Sequence, residues 1–173
     1  MRPALAAAAA LLGVALAGCG YKVSGHSDLL PAKIKTIAIP SFGNVTIRYR
    51  LTDRLPAAIT REFISRTRYR IVADPRDADA ILTGAVVNYF SNPTVFDPAT
   101  GRASGVQVNV YLQLTLREQS SGKVLYTQPN MEFKQRYEIS ADPRAFFDES
   151  DSALDRLSQD VARTVVTAIL SAF

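Results

Sequence analysis

Val106-Gln107-Val108-Asn109-Val110-Tyr111-Leu112-Gln113-Leu114-Thr115-Leu116-Arg117 alternates apolar and polar residues without a break. Period two over that length predicts a long strand with one face in a core and the other face polar. Turn chemistry brackets it: Asp97-Pro98-Ala99-Thr100-Gly101 comes before, and Ser120-Ser121-Gly122-Lys123 after. A hairpin is therefore expected at each end. The first brings in Ile81 to about Val95, where Pro93 marks a bulge or the end of regular pairing. The second brings in Val124 to about Ile139, with Met131, Phe133, Tyr137 and Ile139 on one face and Glu132, Lys134, Arg136 and Glu138 on the other.

Upstream, Ile34 to Ile39 reads as a first strand stopped by Pro40, and Tyr69 to Val72 could form a short one. Between them Leu51, Leu55, Ile59 and Phe63 recur every four residues. This predicts a helix over about Asp53–Thr67, with Thr52 as N-cap and Pro56 in the first turn, where a missing N–H matters little. Arg54, Arg61 and Arg68, seven apart, line the opposite flank and could meet anionic lipid headgroups or a partner's carboxylates. A second helix is expected from about Asp151 to Ala172, with Leu154, Leu157, Val161, Val165, Ala168 and Ile169 in one stripe. Residues 140–147 read as a loop, and Asp148, Glu149 and Asp151 crowd the expected helix start, where they complement its dipole. Together these elements make an α+β fold, a two-layer sandwich of a mainly antiparallel four-stranded sheet with two helices on one face. The other sheet face is left polar and largely uncovered.

The first residues carry a different message. Arg2 precedes an apolar run, Ala4 to Leu16, and Leu16-Ala17-Gly18-Cys19 follows. Such a run suits a signal-peptide h-region and is too short to span a bilayer, which takes roughly 20 residues. Its ending resembles the bacterial lipobox, in which the cysteine accepts a diacylglycerol before cleavage. The expected organisation is a lipoprotein signal peptide over 1–18, a lipidated N-terminus and tether over 19–32, and one α+β domain over 33–173. Cys19 is the only cysteine, so an internal disulfide is excluded.

Composition narrows the function classes. The formal charge of +4 falls to +3 once Arg2 is removed, too little to imply a nucleic-acid partner. Locally the balance is uneven: eight arginines lie between Arg48 and Arg76 against Asp53, Glu62 and Asp74, and acids dominate from Asp142 to Asp160. The one histidine, His26, falls in the tether, away from any base or ligand set. Phosphate-cradling glycine loops are missing, and neither a metal nor another cofactor is expected. The inventory is that of a binding protein, not an enzyme.

Several stretches resemble the lipopolysaccharide-assembly lipoprotein E family. They are Cys19-Gly20-Tyr21, then Ile34-Lys35-Thr36-Ile37-Ala38-Ile39-Pro40-Ser41-Phe42-Gly43-Asn44-Val45-Thr46, and the helix ending in Glu62-Phe63. Ala78-Asp79-Ala80-Ile81-Leu82-Thr83-Gly84 and Gly122-Lys123-Val124-Leu125-Tyr126 continue the likeness across nearly the whole mature chain. The resemblance implies a lipoprotein anchored in the periplasmic leaflet of the outer membrane, with Gly20 in keeping with that sorting. Its α+β domain would plug and help assemble an outer-membrane β-barrel of the lipopolysaccharide-assembly protein D type, and would assist lipopolysaccharide transport to the surface. That ligand's phosphates and acidic sugars call for arginine or lysine. Arg102 and Lys123 at the hairpin tips, and Lys134 and Arg136 on the last strand, are the candidates, each of which could equally be a solvated charge on a polar face. The Ala78–Gly84 stretch also resembles activators of peptidoglycan synthases, curli-secretion-type lipoproteins and the amino-terminal domain of the Tol-system propeller protein. In that alternative the product is a periplasmic adaptor docking on a cell-wall synthase or secretion component. A carboxylate-based hydrolase is the third reading.

Overall fold

The computed structural model describes residues 30–138 and 143–173, with side chains of the final helix from residue 151 onward. In chain order the elements are β1 (Thr36–Ala38), β2 (Gly43–Asn44), α1 (Leu51–Arg66), β3 (Arg70–Val72), a 3₁₀ turn (Pro75–Asp77), β4 (Ala80–Phe96), β5 (Ala103–Glu118), β6 (Val124–Glu138) and α2 (Pro143–Ser171). Among the described residues the sheet has six strands, two more than the four expected, in the order β3-β1-β4-β5-β6 with β2 also on β4. The α+β class holds. β4, β5 and β6 form two long antiparallel ladders, and the short strands add parallel pairings at one end of β4.

β5 is the axis of the molecule. Val106, Val108, Val110, Leu112, Leu114 and Leu116 are all buried, and they join Leu51, Leu55, Ile59 and Phe63 of α1 and Leu157, Val161, Val165 and Ile169 of α2 in one core. Each such aliphatic side chain stabilises the fold by about 1.5–3 kcal/mol relative to full exposure. The inward register ends on an acid: Glu118, only 2% exposed, closes the same stripe.

The two hairpin turns repeat one design. Asp97 N–H donates to the Arg102 carbonyl and Gly101 N–H to the Asp97 carbonyl; Glu118 with Lys123, and Gly122 with Glu118, do the same. Gly101 (φ 66°) and Gly122 (φ 69°) occupy the left-handed position these loops require. Pro93 lies at a register shift of the β4–β5 ladder, as expected, and Pro129 falls in the shift between Leu112 and Leu114 on the β5–β6 side.

The parallel end is pinned by polar groups. One carboxylate oxygen of Asp79 accepts from Lys35 N–H (2.8 Å), Thr36 N–H (2.9 Å) and the Thr36 hydroxyl (2.9 Å). Those backbone donors hold the Asp79 carboxyl below the usual range, with the Thr36 hydroxyl adding to them. Gly84 is fixed by packing instead: a Cβ there would stand 2.6–2.8 Å from carbons of the buried Phe42 ring.

Helix boundaries depart from expectation. α1 starts at Leu51, after an N-cap at Arg50 that has no side-chain cap bond, so Thr52 lies inside the helix. Pro56 consequently sits beyond the first turn. The Thr52 carbonyl that a residue-56 amide would have met accepts instead from Phe42 N–H at 3.0 Å. α2 begins at Pro143, a favoured residue for a first helical turn, and so takes in part of the expected 140–147 loop. Asp151 is therefore well inside α2. Its partners are Arg50 (2.6 Å) and Arg54 (3.3 Å) of the α1 end rather than a helix dipole. Asp148 and Glu149 lie outside the described side chains.

Candidate functional site

The outward face of β4–β6 carries a polar network supported from behind by the core. Cross-strand register sets Gln107 opposite Arg136, Asn109 opposite Lys134 and Tyr111 opposite Glu132. Arg136 Nε donates to Gln107 Oε1 (3.1 Å), Gln107 Nε2 to Asn109 Oδ1 (3.1 Å), and Asn109 Nδ2 to Glu132 Oε1 (2.9 Å). The Tyr111 hydroxyl donates to the same Glu132 oxygen at 2.7 Å, and Lys134 Nζ lies 3.2 Å from the other. The Tyr111 hydroxyl and the Asn109 amide, followed by Lys134, hold the Glu132 carboxyl below its ordinary range. The rings of Phe90 (β4) and Tyr111 meet in a T-shaped arrangement, at 87° and 6.0 Å. Further along the same face, the Thr83 hydroxyl donates to the Thr115 carbonyl, and the Thr115 and Thr127 hydroxyls meet at 3.3 Å. The side chains of this surface are ordered by one another before any partner arrives.

The four basic candidates do not form one cluster. Lys134 and Arg136 are neighbours on the outward face of β6, and Arg102 lies at the β4–β5 tip beyond them. Gln107, opposite Arg136, is five residues from Arg102, or about 17 Å along β5. Lys123 belongs to the other hairpin, at the opposite end of the 16-residue β5. That strand spans about 50 Å at about 3.3 Å per residue. Lys134 is already engaged by Glu132, whereas among the described residues Arg136 bonds only through its Nε, to Gln107.

The arginine stripe of α1 also divides. Arg54 is only partly exposed: it pairs with Asp151 and with Asp155 (3.2 Å) of α2 across the seam between the helices. Arg61 lines a hollow in that seam with Asp155 and Gln159. Only Arg68 leaves it, joining Lys35 and Arg70 around an open cleft at the start of β1.

Two further groups have no clear signature in the sequence. Lys33 meets the inward-facing Glu118, and this contact, with hydroxyl bonds from Ser121 (2.6 Å) and Ser120 (3.1 Å), holds the Glu118 carboxyl at about 2. The second is the loop before α1, where Val45, Ile47 and Tyr49 point outward at 79%, 85% and 73% exposure. Asn44 stiffens that loop by accepting from Thr46 N–H and Thr46 hydroxyl while donating to the Arg48 carbonyl. Arg48 turns inward over the Tyr89 ring at 5.2 Å. Alternating apolar residues in 45–49 were the available signal, masked by the neighbouring turn residues. Cys19 and His26 lie outside the described residues. Among the described residues no group of three or more His, Cys, Asp or Glu could hold a metal ion, and no helix is long and apolar enough to cross a membrane.

Comparison with known proteins follows the same outline. Residues 34–169 match a family model described as LptE, lipopolysaccharide-assembly. No curated protein sequence matches the chain. Similar solved structures include the rare lipoprotein B from Shewanella oneidensis, 12% identical with a TM-score of 0.53, covering 79% of this chain and 94% of that one. Lipoprotein B from Nitrosomonas europaea is 14% identical with a TM-score of 0.56, over 84% of this chain and 87% of the other. A minor lipoprotein from Acinetobacter baumannii is 11% identical with a TM-score of 0.53, over 82% and 94%. At such identities the likeness is one of fold.

Proposed function

The chain belongs to the lipopolysaccharide-assembly family, and from that premise we propose that it is an outer-membrane lipoprotein seated in the lumen of the lipopolysaccharide-assembly β-barrel. It helps that barrel assemble and assists lipopolysaccharide on its way to the surface. It acts by binding, and Cys19 carries the acyl chains that hold it to the periplasmic leaflet.

The observation carrying this reading is the bare outward face of β4–β6. A β-barrel lumen is polar, and an insert suited to it needs polar side chains fixed on a rigid backing. The chain Arg136–Gln107–Asn109–Glu132–Tyr111 supplies them, on strands whose other face is sealed by the core. Because these groups are already hydrogen-bonded, docking orders few new rotamers, which lowers the entropy cost of association. The Arg136 guanidinium, with Lys134 beside it and Arg102 at the tip, forms the basic end suited to a phosphate. Lys123, at the other end of β5, is not part of it.

Gentle detergent extraction followed by affinity capture tests the proposal. A heat-modifiable outer-membrane barrel of larger mass should co-purify, and depletion should reduce surface lipopolysaccharide with cell-wall synthesis normal. Recovery of a synthase or secretion component instead would replace this reading by the adaptor one. Mass spectrometry of the mature N-terminus should find an acylated Cys19; a free thiol there would remove the anchor.

A further inference from the structure

At the end of the molecule where the chain arrives from its N-terminus lies an open cleft of about 620 Å³. Its floor is apolar, made of Leu30, Ile34 and Tyr69, each no more than 6% exposed. Its rim is cationic, made of the exposed Lys35, Arg68 and Arg70. Neighbouring cations are committed elsewhere: Lys33 to Glu118, Arg54 to Asp151 and Asp155, Arg66 to Glu62. Among the described residues, the three rim cations are in no ion pair within 4.0 Å. The acid acting on Lys35 is Asp79, and its bonded oxygen is taken up by the Lys35 and Thr36 amides and the Thr36 hydroxyl.

Position adds to chemistry. Leu30 is eleven residues beyond Cys19, and a fully extended segment of that length reaches at most about 40 Å. A lipid-bearing Cys19 would keep this cleft within that distance of the leaflet, at high effective concentration relative to its headgroups. Two guanidinium groups and an ammonium above an apolar floor match a phosphodiester whose glycerol and first methylenes need cover.

We propose that the Lys35–Arg68–Arg70 cleft is a headgroup site for anionic phospholipid of the anchoring leaflet. It fixes the orientation of the domain beneath the membrane, with the β4–β5 tip directed away from the tether. The proposal rests on acylation of Cys19, and the experiment separates the two.

The chain contains no tryptophan, so Ala32→Trp, on the exposed lip of the cleft, introduces a single indole. The mature lipoprotein carrying it is first floated with neutral phosphatidylcholine vesicles; failure to float with them would refute the anchor itself. Energy transfer from the indole to dansyl-labelled headgroups is then compared between neutral vesicles and vesicles containing phosphatidylglycerol. Transfer should rise on the anionic vesicles. Joint Lys35→Gln, Arg68→Gln and Arg70→Gln substitution should reverse the rise, at roughly fivefold in the docked-to-undocked ratio per cation removed. A Thr100→Trp reporter at the far tip should not respond to lipid charge. Equal transfer on both vesicle types, or a response that survives loss of all three cations, would overturn the proposal. An equal change in indole emission with inorganic phosphate in detergent would show a free-anion site instead. A barrel lost on capture of the triple variant with its lipid response intact would reassign the cleft to protein contact.

Discussion

The two faces of β5 share a backbone and a set of ladder hydrogen bonds, yet they are held by different physics. Inward, six aliphatic side chains are packed by two helices and depend on shape. Outward, Gln107, Asn109 and Tyr111 are held by directional bonds to β6 and stay within reach of water. Packing energy is lost when volume is lost, whereas a partly hydrated hydrogen bond exchanges readily with solvent. The inward face should therefore decide whether the chain folds, and the outward face what the folded chain holds.

The strongest challenge to that division is Leu112→Ala, which removes a fully buried side chain at the centre of the sheet. A loss of about 2–5 kcal/mol is expected in urea unfolding, and a loss under 1 kcal/mol would mean that the inner face is loosely packed. Next comes Gly84→Ala, which drives a methyl group into the Phe42 ring. It should destabilise by about 1–3 kcal/mol, the usual range for overpacking, read from the same denaturation midpoints.

Glu118 sharpens the comparison because it is an acid in the inward register. Its carboxyl titrates at about 2 against an ordinary 4.5, so its bonds to Lys33, Ser121 and Ser120 favour the folded, ionised form. That contribution is fully present above 4.5 and disappears as pH falls through about 2. Wild type should thus exceed Glu118→Gln in stability at neutral pH, and the gap should close across that window. A gap unchanged by pH would show that the charge contributes nothing there. The smallest stability effect belongs to the outward face, where Glu132→Gln should move the unfolding midpoint least of all, because a solvent-screened pair contributes little to folding. Its consequence should appear in barrel capture, where yield falls although the domain stays folded.

Much of this was legible in residue order. The alternation from Val106 to Arg117 names both faces of β5, and Gly101 and Gly122 mark the two turns. What was not legible depends on residues far apart in the chain. Arg54 reads as a solvent-flank arginine because its partners, Asp151 and Asp155, belong to the other helix. β2 is only two residues long and exists through Ala85 and Val86 of β4, so no local pattern announces it. The acidic residues near 150 look like the start of α2, while the start itself is at Pro143. For the site, the polar character of the outward face could be read from sequence. The separation of Lys123 from Arg102, and the gathering of Lys35, Arg68 and Arg70, required the fold.

Pro56 has one further consequence. By leaving the Thr52 carbonyl without an intrahelical donor, it lets α1 grip the Phe42 amide and so joins the helix to the segment between β1 and β2. A proline-to-alanine repair, which ordinarily strengthens a helix, would here bring a second donor to an oxygen that already serves the Phe42 amide. What looks like a flaw in α1 is the latch by which helix and sheet are kept in register.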